Sequence, residues 1–381
     1  MMLALLLSIT PLLASAAAVE PAAIDTTVGR LMASERVPGL GVALIRNGRV
    51  TFIKAYGQRN VKQKLPLKTD TVMYGASLTK ATFAYFVMQL VDEGKLDLDR
   101  PIAAYLPKPL PEYPRYKDLK GDARWQKLTM RILLSHTTGF ANFRWIEEGR
   151  KLRFHRAPGE RYGYSGEGLM LAQFVLETGL KLDVGAEMQR RIFDRFGMKR
   201  SAMLWRDDFA ANLAEGYTQD LAHEPHRRWD EVGAAGSLDT TLEDWAKFLA
   251  AVVRGEGLSK KAKAEMIRRQ IEIDSERQFP TLLPGKTERW KSIGLGYGIG
   301  WGVFETPMGH AFFKEGHDEG TANYALCIEP SRDCILLMSN STRAEGIFVP
   351  LVNELLGEVN LPAEWEGFKP APARTPASSG R

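Results

Sequence analysis

The sequence predicts an α/β (α+β) protein, an antiparallel sheet flanked by helices with a mostly helical domain inserted between its first and last strands. Strand-like runs cluster near both ends of the chain, while apolar residues at helical spacing dominate the middle. The 381 residues, 44% hydrophobic and 25% charged, suffice for a large core or two modest ones. The expected division is a discontinuous α/β sandwich over 19–75 and 290–365 and a helical domain over 76–289. Chain ends that meet in one sheet around a helical insertion leave a crevice between the two parts, the natural place for a site.

The extreme N-terminus, 1–18, is a short apolar run followed by Ala14-Ser15-Ala16, which suits signal-peptidase cleavage and predicts an exported, periplasmic or secreted protein. It lacks a positively charged leader, and the alternative of a retained anchor has a short apolar run against it. Ile24 to Glu35 has helical spacing and is closed by Pro38-Gly39. Gly41–Ile45 and Val50–Ile53 flank Asn47-Gly48 as a hairpin. Pro107 to Pro114 is expected as a Pro-rich loop, with charged, poorly ordered sequence continuing to Gln126. Further helices are expected over Leu128–Ser135, Glu167–Glu177, Leu242–Val253 and Ile347–Leu356. Gly294 to Val303 is expected as glycine-rich strand, since it lacks the strand-then-helix setting of a dinucleotide site. Strands are expected at His310–Phe313, Asn323–Ile328 and Cys334–Ser339, and a disordered tail over 366–381. Cys327 and Cys334 sit opposite each other across a Pro-Ser-Arg-Asp turn. They are expected as buried small side chains, with a disulfide as the alternative in an exported protein.

The net charge of +5 is small for this length, and no Lys/Arg cluster is interleaved with aromatics, so nucleic acid is not an expected partner. No membrane span is expected once the signal is removed, and neither a metal nor an organic cofactor is expected.

The chemistry is concentrated in Met73-Tyr74-Gly75-Ala76-Ser77-Leu78-Thr79-Lys80 and the run that follows, where Phe83, Phe86, Val87 and Leu90 mark one helix face. Ser77 lies at the helix start and Lys80 one turn later on the same side. A serine hydroxyl becomes a nucleophile when a base takes its proton, and a lysine with a lowered pKa can be that base. Free N–H groups at the helix start favour negative charge developing beside Ser77. A Ser-x-x-Lys alone equally describes a capped helix with a solvated lysine.

Further motifs follow in order: Val37-Pro38-Gly39, Leu133-Leu134-Ser135-His136-Thr137-Thr138-Gly139-Phe140, Pro158-Gly159-Glu160 with Tyr162-Gly163-Tyr164-Ser165, Ala235-Gly236-Ser237-Leu238, and Gly296-Tyr297-Gly298-Ile299-Gly300-Trp301. Together with Ser77-Leu78-Thr79-Lys80 the chain resembles the serine β-lactamase/penicillin-recognising superfamily over about residues 25 to 360. It is most similar to the class C-like branch that also holds DD-peptidases, D-aminopeptidases and esterases. The resemblance implies a β-lactamase/transpeptidase-like fold and a metal-free serine hydrolase acting through an acyl-enzyme on a small ester, amide or peptide. Ser77 would be the nucleophile, Lys80 its proton partner, and Tyr164 the phenol that serves as base, with Tyr162 as the alternative. His136 would be structural.

Two departures stand out. Gly166 replaces the asparagine that follows the tyrosine in the family and binds substrate. The third motif has two registers: Lys314-Glu315-Gly316, and His317-Asp318-Glu319-Gly320-Thr321, whose downstream residues align without a gap. The second is preferred, which makes His317 catalytic and gives the oxyanion N–H groups to Ser77 and Gly320. Asp318 and Glu319 would then either face the substrate and repel a carboxylate or turn outward as solvated surface. An ester, or an amide with a free amine, is the expected substrate. A β-lactamase or DD-carboxypeptidase and a non-catalytic ligand-binding relative are the alternatives.

Overall fold

The computed structural model describes residues 20–368. The expected signal over 1–18 lies outside these residues, as does the tail from 369 on. Among the described residues no helix is long and apolar enough to cross a membrane.

Helix α1 spans Pro21–Glu35 and ends at Arg36 in the left-handed conformation. Strands β1 (Gly39–Arg46) and β2 (Arg49–Asn60) then form the expected hairpin, with Asn47 and Gly48 both at positive φ as an Asn-Gly turn requires. The sheet continues with β3 (Leu65–Pro66) and resumes more than two hundred residues later. There it takes β4 (Ile271–Glu272), β5 (Gly296–Tyr297), β6 (Gly302–Thr306), β7 (Gly309–Asp318), β8 (Thr321–Ile328) and β9 (Asp333–Ser339). The order is β3-β2-β1-β9-β8-β7-β6-β5-β4, antiparallel throughout. β1 thus pairs with β9, Val42 opposite Leu337, and the two ends of the chain close one sheet as expected. The sheet also reaches outside the expected boundaries, because β4 lies before residue 290.

Side chains alternate between two cores with the period of a strand. Leu40, Val42 and Leu44 of β1, with Ile335 and Leu337 of β9, pack with Ile24 and Val28 of α1. Ala43 and Ile45, with Leu336 and Met338, pack on the other face with α2 (Leu78–Asp92) and the amphipathic α4 (Leu242–Arg254). Between these, α3 (Gly166–Gly179) belongs to the helical layer. Near the end, α5 (Lys260–Ile267) precedes the sheet's return, α6 (Glu345–Leu355) joins α1 on the outer face, and the one-turn α7 (Ala363–Glu366) follows. α2 is buried on nearly every side, from Leu78 to Leu90, which makes it the axis of the inner core.

Three expectations need correction. Pro107–Gln126 is ordered as short 3₁₀ turns, because Leu110, Tyr116 and Leu119 are buried and Tyr116 packs edge-on to Phe174 at 4.9 Å. The tail does not begin at 366: Trp365 and Phe368 are buried in the outer core, and Phe368 packs on Tyr324. Cys327 and Cys334 are directly opposite in register and are joined by a disulfide of 2.03 Å.

Candidate active site

The sequence folds around Ser77 so that the hydroxyl is not used up by the helix it begins. Ser77 is the N-cap of α2, yet its backbone is αR and its side chain makes no capping bond. Ala76 before it takes positive φ (45°), a costly conformation for a residue with a Cβ, which turns the chain sharply into the helix. Neighbouring elements hold that turn. Gly75 N–H donates to the Leu238 carbonyl (2.8 Å), and Leu238 N–H donates to Thr79 Oγ1 (3.1 Å). Asn323 of β8 donates through Nδ2 to the Tyr74 carbonyl (3.0 Å). On β7, a Cβ at Gly316 would stand 2.6 Å from the Gly75 carbonyl oxygen, so only glycine lets the strand approach this closely.

Lys80 is 1% exposed, which rules out the solvated lysine of an ordinary helix surface. Its Nζ donates to Ser77 Oγ at 2.8 Å and to the Ala235 carbonyl at 2.6 Å. Burial, and then the ammonium of Lys314, hold its pKa well below the ordinary lysine value, which favours a neutral amine that can accept a proton.

Tyr164 lies in the approach to α3, fully enclosed, with the Nζ atoms of Lys80 and Lys314 at 5.0 and 5.1 Å from its ring centroid. Lys314 Nζ donates to its hydroxyl at 3.4 Å. Burial, and then the charge of Glu315, push its pKa well above the ordinary phenol value, while the Ser77 hydroxyl opposes the shift. The resting group is therefore a neutral phenol. This differs from the phenolate base that the resemblance implies: of the two groups, only the shift of Lys80 favours a form that accepts a proton. Tyr162, the alternative, packs instead against Tyr297 and Trp365, and its hydroxyl meets no partner. His136 packs tilted beside Tyr164, ring centroids 4.3 Å apart, and its Nδ1 accepts the Ser165 N–H at 3.1 Å. Burial holds its pKa well below the ordinary value, so it is a neutral spacer that fixes the tyrosine's turn.

The third motif takes the lysine register, against expectation. Lys314 is fully buried and reaches Tyr164, whereas His317 is half exposed and hydrogen-bonds Glu345 at the start of α6. The two are an odd number of residues apart on one strand and so face opposite sides of the sheet. Gly320 is displaced likewise. It forms the β7–β8 turn at positive φ (75°), with its would-be Cβ 2.8 Å from Glu224, and its carbonyl accepts the Tyr217 N–H. The strand edge that does face Ser77 is the segment around Gly316. Among the described residues, pairing of β7 with β6 ends at Phe313, so the backbone beyond it has no strand partner on that side. Asp318 and Glu319 are exposed at the hairpin tip and line a separate concavity with Tyr74, Glu224 and His226.

Gly166 also differs from expectation. The Phe143 ring occupies the space a side chain would need, 2.2 Å from an ideal Cβ, and the Gly166 N–H donates to Asn142 Oδ1 at 2.9 Å. Phe143 stacks on the exposed Trp145 at 3.9 Å, and the exposed Phe279 packs edge-on to Tyr164 at 5.3 Å. Asn142 and Phe143 touch Gly166, Phe279 touches Tyr164 and Gln278 touches Glu315, but each comes from a loop with no periodicity, so none is legible in the sequence. Glu315 was visible as an acid in a place where a small residue is expected. Among the described residues no group of three or more His, Cys, Asp or Glu is placed to hold a metal ion.

Known proteins share this fold and this family. The family model described as Beta-lactamase matches residues 24–349. Penicillin-binding protein 4 of Amycolatopsis lactamdurans is 25% identical over 357 residues, covering 86% of this chain and 87% of that protein. The unguisins hydrolase of Aspergillus violaceofuscus is 23% identical, covering 86% of this chain and 63% of that protein. Among solved structures, the octameric penicillin-binding protein homologue from Pyrococcus abyssi superposes with a TM-score of 0.70 at 21% identity, over 90% of this chain and 78% of that one. The D-alanine carboxypeptidase AmpC from Burkholderia cenocepacia superposes with a TM-score of 0.68 at 18% identity, over 88% and 97%. These likenesses show the β-lactamase/transpeptidase fold, and the match over most of the chain shows the family. The chain belongs to the beta-lactamase family.

Proposed function

We propose that the protein is a serine hydrolase that works through an acyl-enzyme on small esters or amides, with Ser77 as nucleophile. The single observation that carries this reading is the Lys80 Nζ to Ser77 Oγ hydrogen bond of 2.8 Å, made by a buried lysine whose charge is disfavoured. A binding scaffold has no use for an enclosed amine kept neutral against a serine hydroxyl.

The neutral amine of Lys80 takes the hydroxyl proton as Ser77 Oγ attacks the acyl carbonyl. Negative charge gathers on the carbonyl oxygen. The Ser77 N–H at the start of α2 and a backbone N–H on the free edge of β7 near Gly316 are the donors suited to it, in place of the expected Gly320. Tyr164, between the Lys80 and Lys314 ammonium groups, passes the proton to the departing alcohol or amine. In the second half the same groups activate water, and Ser77 is released with its proton restored. We place the protein in an exported compartment, which the Cys327–Cys334 disulfide supports.

The names of the relatives favour a second reading, a β-lactamase or DD-carboxypeptidase using the same residues. Hydrolysis of p-nitrophenyl esters, D-aminoacyl anilides and nitrocefin by the protein and by Ser77→Ala separates them. Ester or anilide turnover lost in the variant supports the first. Brisk nitrocefin turnover with esters untouched supports the second.

A further inference from the structure

Lys314 has an acceptor inside the protein for each of its three ammonium protons. They are the Tyr164 hydroxyl at 3.4 Å, the Glu315 carbonyl at 3.1 Å and Glu315 Oε1 at 2.5 Å. No proton remains for an incoming anion unless one of these bonds breaks. Glu315 is equally built in. It is 7% exposed, and its Oε1 also accepts from the buried Gln278 Nε2 at 3.0 Å. The loop that carries Gln278 is tied in turn to the C-terminal segment by the Gln278 N–H donating to the Trp365 carbonyl at 2.8 Å.

Lys80, the other amine of the cleft, is turned to Ser77 and the Ala235 carbonyl. Glu366, on α7, accepts from the Tyr324 hydroxyl at 2.9 Å. Burial, and then the charge of Glu315, push its carboxyl well above the usual range, which disfavours its charged form. Glu315 Oε2 and Glu366 Oε2 are both enclosed without a hydrogen-bond partner. A carboxylate brought into this wall would meet one neutralised ammonium, one resident carboxylate and one acid that ionises the less for having such neighbours.

We propose that Glu315 is a specificity-determining residue: as the resident counter-ion of Lys314 it occupies the role a substrate carboxylate would take. The site therefore acts on acyl compounds with no negative charge beside the scissile bond and rejects those that carry one. This rests on the serine hydrolase reading above and places the discrimination at Glu315, not at Asp318 and Glu319.

The test uses a matched pair, 3-acetoxybenzoate and its methyl ester, which share the acyl group and differ by one charge and one methyl on the leaving group. Rates are normalised to the fraction of protein that reacts with a fluorophosphonate, so that unfolded variant does not count. The protein should favour the neutral ester at least tenfold in kcat/KM. In Glu315→Gln, and separately in Glu315→Thr, that preference should narrow at least tenfold, mainly through a lower KM for the anionic ester. Equal use of both esters by the unaltered protein, or the same preference in both variants, would overturn the proposal and leave the hydrolase reading standing. No reaction with either ester or with the fluorophosphonate would overturn the hydrolase reading, and the proposal with it.

Discussion

Replacing Lys80 with methionine keeps the apolar stem of a side chain that is 1% exposed and removes only its amine. Two bonds vanish, the 2.8 Å contact with Ser77 Oγ and the 2.6 Å contact with the Ala235 carbonyl. The lost carbonyl partner costs about 1–3 kcal/mol of stability. The buried amine is itself a burden on the fold, and its removal offsets part of that. Folding should therefore survive, as checked by thermal melting. Catalysis should not. Without its base Ser77 should acylate at least ~100-fold more slowly, roughly 2.7 kcal/mol on the barrier. The pH profile makes the test specific. Burial and the Lys314 charge both oppose protonation of Lys80, so its folded-state pKa lies below the ordinary lysine value. The competent neutral amine predominates above that pKa and is lost below it. Hence kcat/KM for a neutral ester should rise with pH through one ionisation and then level off. The acid limb should fall about tenfold per pH unit, and it should vanish in the variant. A near-normal rate in Lys80→Met, or a rate that falls as pH rises through that limb, would refute the assignment of Lys80 as base.

Two further outcomes follow from the same geometry. Tyr164→Phe deletes one hydroxyl while leaving the ring against His136 and Phe279, so its melting temperature should change little and its turnover should fall at least ~100-fold; steady-state kinetics beside a melting curve checks this. Gly166→Asn, which restores the residue expected at that position, puts a Cβ 2.2 Å from the Phe143 ring and should cost about 1–3 kcal/mol, recovered in part by adding Phe143→Ala; chemical denaturation of the three variants measures it.

Much of the fold could be read from the chain because its elements carry local signals. The Asn47-Gly48 turn, the short apolar runs of β1 and β9, and the helical spacing of apolar residues in α2 are each signals carried within one element. Ser77 and Lys80 were legible for the same reason, since three residues along a helix is a fixed distance. The third motif was not. Whether Lys314 or His317 enters the cleft depends on which face of β7 meets α2, and the downstream letters that favoured His317 do not encode that. The structure decides it through Gly316, the residue whose missing side chain lets β7 touch the Gly75 carbonyl and whose face Lys314 shares. The ordered turns of Pro107–Gln126 escaped because their buried anchors, Leu110, Tyr116 and Leu119, follow neither a helical nor a strand period. The filling of the Gly166 space by Phe143 is a contact across more than twenty residues of loop, and no local pattern announces it.

The central claim is that Ser77 is a nucleophile activated where it stands. Intact-protein mass spectrometry after exposure to a fluorophosphonate, followed by peptide mapping, reads this directly. One covalent adduct on the peptide that contains Ser77, absent from Ser77→Ala, is the predicted result. An unlabelled protein, or an adduct that persists in the Ser77→Ala variant, would contradict it.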